Sequence, residues 1–124
     1  MKRARVMHDD ATRGIAALAD ASVDLVIADP PYDIAVGNAD WDKIKSYMPF
    51  ARGWLSQCVR ALRPGGALFL YGSPERMHIA RMSVMLVDDL GMKHVQDTPW
   101  VYTQGARLHA CEPYSETPHA RCIH

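Results

Sequence analysis

Val23-Asp24-Leu25-Val26-Ile27-Ala28-Asp29-Pro30-Pro31-Tyr32 is the stretch from which the rest of the chain is read. A short apolar run rich in β-branched residues, closed by turn formers, predicts a buried parallel strand. Neither proline has a backbone N–H, so a central strand must end at Asp29. The carboxyl ends of strands are where open α/β sheets place their ligand crevices. An acid, two prolines and an aromatic ring are therefore expected at the lip of a crevice.

These four residues make chemical sense as a set. Pro31 keeps Pro30 out of the helical region, so the backbone there is extended and stiff. The Asp29 carboxylate only accepts hydrogen bonds. The expected site offers two or three acceptors, no backbone donor and one aromatic face. A planar group with two N–H bonds, such as the exocyclic amine of a nucleobase, matches it, and Tyr32 is placed to stack on that ring. An ordinary strand-end turn uses similar residue types. The apolar strand before Asp29 and the tyrosine after Pro31 favour the binding reading.

Downstream, Asp33 to Asp40 reads as a loop broken by Gly37 and Asn38. A helix is predicted from about Ser46–Pro49 to Leu62, with Phe50, Trp54, Cys58 and Leu62 recurring every four residues and Leu55 and Val59 widening the stripe. That stripe is core, and Cys58 on it is read as inert. Arg63-Pro64-Gly65-Gly66 ends the helix, and Ala67-Leu68-Phe69-Leu70-Tyr71 is a second buried strand. Strand, helix and strand in this order make a right-handed βαβ unit with parallel strands. Ser73 is read as the N-cap of a helix over Glu75–Leu90, buried through Ile79, Met82, Leu86 and Leu90, with Gly91 as its stop. Arg76 and Arg81 are expected on a solvated face of that helix. Lys93–Tyr102 is read as a further strand interrupted by Pro99. Upstream, Ala4–His8 is read as a short strand, and Asp10 as the N-cap of a short helix through Ile15 and Leu18.

The ten residues quoted first resemble the catalytic motif of the DNA amino-methyltransferases, which methylate adenine N6 or cytosine N4 with S-adenosylmethionine. The acid-proline-proline-tyrosine core also occurs in RNA and protein methyltransferases. The stretch from Trp54 through Arg60-Ala61-Leu62-Arg63-Pro64-Gly65-Gly66 to Gly72-Ser73 is similar to the family segment that follows the motif. Asp40-Trp41-Asp42 and Trp100-Val101-Tyr102 are similar to two tryptophan-bearing segments of the family. The resemblance covers residues 4 to 105. It implies an α/β fold, namely a partial Rossmann-like methyltransferase sheet of mostly parallel strands with flanking helices. It implies catalytic roles for Asp29, Pro30, Pro31 and Tyr32, and base contacts from Tyr32 and Trp41. Cofactor contacts are implied for Asp10, Asp29, Gly72 and Ser73, with S-adenosylmethionine as cofactor and DNA as partner.

Two departures stand out. The family commonly has Asn after the motif tyrosine, where this chain has Asp33. The motif lies near the amino end, as in the subgroup whose cofactor-binding half comes last, yet no Phe-x-Gly-x-Gly turn follows. The resemblance thus implies a truncated catalytic half over residues 1–105 and an irregular tail over 106–124. A remnant or subunit that needs a partner is the competing expectation, and an RNA or protein methyltransferase is a further one.

Composition sets outer bounds. With 124 residues, the chain is at most one domain. Lys+Arg and Asp+Glu are both 14, so the strongly basic surface of a free-standing DNA binder is missing. No apolar run reaches membrane-spanning length. Three cysteines suggest no disulfide framework, and a reducing cytoplasm is expected. His109, Cys111, His119, Cys122 and His124 follow no standard metal-ligand spacing, so no metal is expected.

Overall fold

A computed structural model of the chain describes residues 4–34, 40–101 and 120–123. Helix α1 is Ala11–Ala16, strand β1 is Val23–Ala28, helix α2 is Tyr47–Ala61, strand β2 is Leu62–Gly72 and helix α3 is His78–Asp88. Strands β3, Thr98–Val101, and β4, Ala120–Ile123, complete the described elements. The sheet order is β1-β2-β4-β3.

The predicted βαβ unit is present. β1 and β2 pair in parallel, with Leu25 opposite Ala67, Ile27 opposite Phe69 and Ala28 opposite Leu70. Arg63-Pro64-Gly65-Gly66 forms an irregularity in β2 between the pairings Val23–Leu62 and Leu25–Ala67. Gly65 takes φ +79° there. A Cβ on Gly66 would lie 2.9 Å from the Arg63 carbonyl oxygen and 3.1 Å from that of Asp24, so β1 can close on the turn only because Gly66 lacks one. The expectation of mostly parallel strands needs correction. β4 pairs antiparallel with both β2 and β3, leaving one parallel pairing of three among the described residues.

One face of the β1–β2 ladder is core. Val26, Ala28, Leu68 and Leu70 pack on a cluster from α2 and α3 that includes Leu55, Cys58, Ile79 and Met82. The other face is open, with Leu25 46%, Phe69 48% and Ile27 65% exposed. The strand expected to be buried on both sides is therefore buried on one. Parallel sheets are normally covered on both faces, and among the described residues no helix covers this one.

Helix α2 begins and ends as read from the sequence, but its buried face is turned at the first end. Tyr47 and Ala51 are in the core while Phe50 is 38% exposed, because the Tyr47 hydroxyl is drawn inward to donate to the Pro31 carbonyl. Cys58 is buried, and burial pushes its thiol up to about 11. It should resist iodoacetamide at pH 8 and react at least about 100-fold faster once urea exposes it. Equal rates, followed by mass spectrometry, would place it outside the core.

Ala4–His8 forms no strand and is exposed throughout, since no described strand lies beside it to satisfy a ladder. The helix expected from Glu75 starts at His78, because Pro74 to Met77 close a separate turn and Met77 adopts φ +57°. Strand β3 is shorter than expected, and the segment 92–97 before it has no regular structure. β4 is a regular element inside the stretch expected to be irregular. No described helix is long and apolar enough to cross a membrane.

Candidate active site

β1 carries the chain to the sheet rim and stops where the prolines begin, as their missing N–H groups require. Asp29 is exposed there. One of its oxygens accepts a short hydrogen bond from the Tyr32 hydroxyl. The acid and the aromatic residue are thus adjacent, as expected. The open aromatic face is not found: Tyr32 is 8% exposed, because its hydroxyl is tethered to Asp29 and the loop behind it is held tightly. Among the described residues, no other group bonds Asp29 and none reaches the Pro30 carbonyl.

That tight hold comes from a residue the sequence reading passed over. Asp42 is 1% exposed. Its Oδ1 accepts from the backbone N–H of Tyr32 at 2.8 Å and of Asp33 at 2.9 Å, and its Oδ2 from that of Ile34 at 2.9 Å. Three N–H bonds are what a buried carboxylate needs to remain charged. The three donors that follow the prolines are therefore all turned away from the crevice.

A second layer lies under the loop. The Tyr47 hydroxyl donates to the Pro31 carbonyl at 2.7 Å, and the Tyr47 ring stacks on His78 at 3.9 Å and 7°. Burial, with the Asp33 and Asp42 charges, pushes the Tyr47 phenol up to about 12, so it stays a donor at any physiological pH. His78 Nε2 lies 3.3 Å from Asp33 Oδ2, and Arg76 donates to the same oxygen at 3.1 Å. The Ile44 N–H donates to Asp33 Oδ1 at 3.1 Å. Arg76, expected on a solvated face, is 55% exposed there and also bonds the loop through Asp33.

Asp33 sits at φ +57°, a left-handed conformation that Asn and Asp tolerate better than other side chains. It departs from the family's common Asn, and its surroundings explain the acid. Its two oxygens serve Ile44, Arg76 and His78, and an amide would offer only one acceptor. The Ile44 N–H, with His78 and Arg76 beside it, holds the Asp33 carboxyl below its ordinary value of 3.8 against the opposing effect of burial. The stabilisation is complete above that value and is lost as pH falls through the lower folded one. Melting temperature should therefore drop on acidification below about pH 4, and Asp33→Asn should flatten that part of the profile. An unchanged acid limb in the variant would contradict this assignment.

The expected cofactor contacts fare differently. The Asp10 carboxylate accepts from the Thr12 and Arg13 N–H groups, so it is the helix cap that the sequence also suggested. Gly72 does permit a close approach, but the space its missing Cβ leaves is filled by Ile79, whose atoms would lie 2.6 to 2.9 Å from one. Ser73 is buried, and its hydroxyl accepts from the Glu75 N–H at 3.3 Å. It caps that turn, not α3, which begins four residues beyond the turn's start. Of the four, Asp10 and Asp29 are exposed acceptors, and Asp10 is engaged through Oδ1 in the helix cap. The described residues do not by themselves form a cradle for S-adenosylmethionine. Trp41 lies in a 3-10 turn, Asp40–Asp42, and its side chain is outside the described set. His109, Cys111, His119 and His124 also fall outside the described residues, as does the side chain of Cys122. No metal-binding cluster occurs among the described ones.

A parallel βαβ unit whose first strand runs into an acid-proline-proline-tyrosine stretch makes this an α/β protein. The family model for the N6/N4 DNA methylases matches residues 23–120, and the chain belongs to that family. It is 31% identical over 104 residues to the type II methyltransferase M.HpaI of Haemophilus parainfluenzae, an alignment covering 82% of this chain and 32% of that protein. The chain therefore spans about a third of the length of this relative.

Proposed function

We propose that this chain provides the amine-holding part of a site-specific DNA methyltransferase, with S-adenosylmethionine as methyl donor and adenine N6 as the favoured acceptor. The observation that carries this reading is the exposed Asp29 carboxylate at the end of β1, flanked by a loop whose N–H groups are absent or already engaged. A base flipped out of the duplex brings its exocyclic amine to this rim. The amine is a poor nucleophile because its lone pair is delocalised into the ring. Asp29 and the Pro30 carbonyl accept its two hydrogens, which favours a pyramidal nitrogen with its lone pair directed outward. Positioning of this kind contributes several kcal/mol in enzymes, on the order of the effects seen for pre-oriented acceptors and donors. In this reading the Tyr32 hydroxyl holds the place of the incoming amine, and exchanging one donor for another costs little. The proton lost from nitrogen leaves after methyl transfer, so Asp29 need not be a strong base.

The cofactor contacts implied for Asp10, Gly72 and Ser73 are replaced in this reading by contacts from protein outside the described residues. The test is transfer of a tritiated methyl group from S-adenosylmethionine to mixed-sequence duplex DNA, with the cofactor-binding part of a relative supplied in trans. Label in N6-methyladenine after digestion is the expected product. Label confined to N4-methylcytosine moves the target to cytosine, and label in RNA or protein alone overturns the reading.

A further inference from the structure

We infer that Asp42 is a positioning residue that gives the rim its preference for an amine over a carbonyl, an inference that rests on the amine-holding reading above. Asp42 bonds the loop backbone at Tyr32, Asp33 and Ile34. It acts through the backbone. Two prolines remove two donors covalently, and Asp42 removes the next three by accepting from Tyr32, Asp33 and Ile34. Among the described residues the rim's backbone then presents acceptors only, with the Tyr32 hydroxyl as the donor an incoming amine replaces. A base edge bearing an exocyclic oxygen meets acceptor against acceptor, while one bearing an amine meets its complement, and unmatched polar pairs discriminate far better than shape alone.

The carboxylate is needed for this, not merely its size. Oδ1 serves two N–H groups and Oδ2 the third. An asparagine has one acceptor oxygen and would set its NH2 against the N–H it faces, releasing that donor. The clamp also holds the left-handed Asp33 between two of its bonded neighbours. Asp42 itself is 1% exposed, so it acts on the rim through the backbone rather than by touching a ligand.

The test compares the protein with its Asp42→Asn variant, using 9-methyladenine and 9-methylhypoxanthine as probes and backbone amide shifts as readout. The wild type should prefer the amino base by about tenfold or more, and the variant by less than about threefold. Exchange of the Tyr32, Asp33 and Ile34 amides should rise about tenfold or more in the variant, with the Leu55 amide unchanged. A variant that keeps the wild-type preference overturns the inference and leaves the amine-holding reading standing. A wild type without preference overturns that reading instead, and the exchange data then decide the clamp: unchanged exchange at 32–34 rejects it. If the Asn variant loses protection at Leu55 as well, Asp42→Glu is read in its place. That change keeps the charge but displaces the carboxylate by one methylene, so reduced preference supports the inference and unchanged preference overturns it.

Discussion

Asp29→Ala is expected to lower methyl transfer by about three orders of magnitude or more, the scale of losing a group that acts on the reacting atom. Stability should barely change. Asp29 is exposed, and its described bond is the one from the Tyr32 hydroxyl, so the melting temperature should move by no more than about 3 °C, as for a surface substitution. The combination is what distinguishes a reacting-site group from a structural one. The conservative variant Asp29→Asn should lose less, because its amide keeps one acceptor oxygen for the amine while giving up the charge. Near-normal transfer in the alanine variant would remove Asp29 from the mechanism.

Leu70→Ala should have the opposite profile. Leu70 is fully buried, packs in the α2–α3 cluster and sits opposite Ala28, the residue before Asp29. Truncating a leucine of this kind costs about 2–5 kcal/mol, through lost transfer energy and the cavity left behind. A small domain has about 5–15 kcal/mol in total, and here one sheet face is uncovered among the described residues. Calorimetry should show the melting temperature lowered by about 10 °C or more, and any activity lost should return on cooling. A shift under about 2 °C would mean that the parallel ladder is not anchored through Leu70.

The sequence made the local parts legible where one physical cause dominated. The prolines after Asp29 could end β1 only one way. The four-residue apolar spacing of α2 could belong only to a helix. What failed depended on distant partners. Nothing local shows that Leu25, Ile27 and Phe69 lack a covering layer, because a bare strand and a covered one read alike. The phase of α2 at Tyr47 was set by the Pro31 carbonyl, sixteen residues away. Gly72 read as a ligand approach because the glycine signal does not say what approaches, and here it is Ile79. Around the site, Asp29 and Tyr32 were singled out from the sequence, but not the hydroxyl bond that ties them or the burial of the ring. Asp42, Tyr47 and His78 were missed as its support. The only local trace was the paired acids of Asp40-Trp41-Asp42, where the tryptophan drew attention from the residue that does the holding.

The amine-holding role depends on a rim whose described backbone offers no donor and whose Asp29 seats an exocyclic amine. The most direct measurement is the chemical shift of the 6-amino nitrogen and protons of 15N-labelled 9-methyladenine as protein is added. A shift that is seen in the wild type and vanishes in Asp29→Ala is the expected result. A shift of equal size in both proteins, or none while the amides around Asp29 respond, would contradict it.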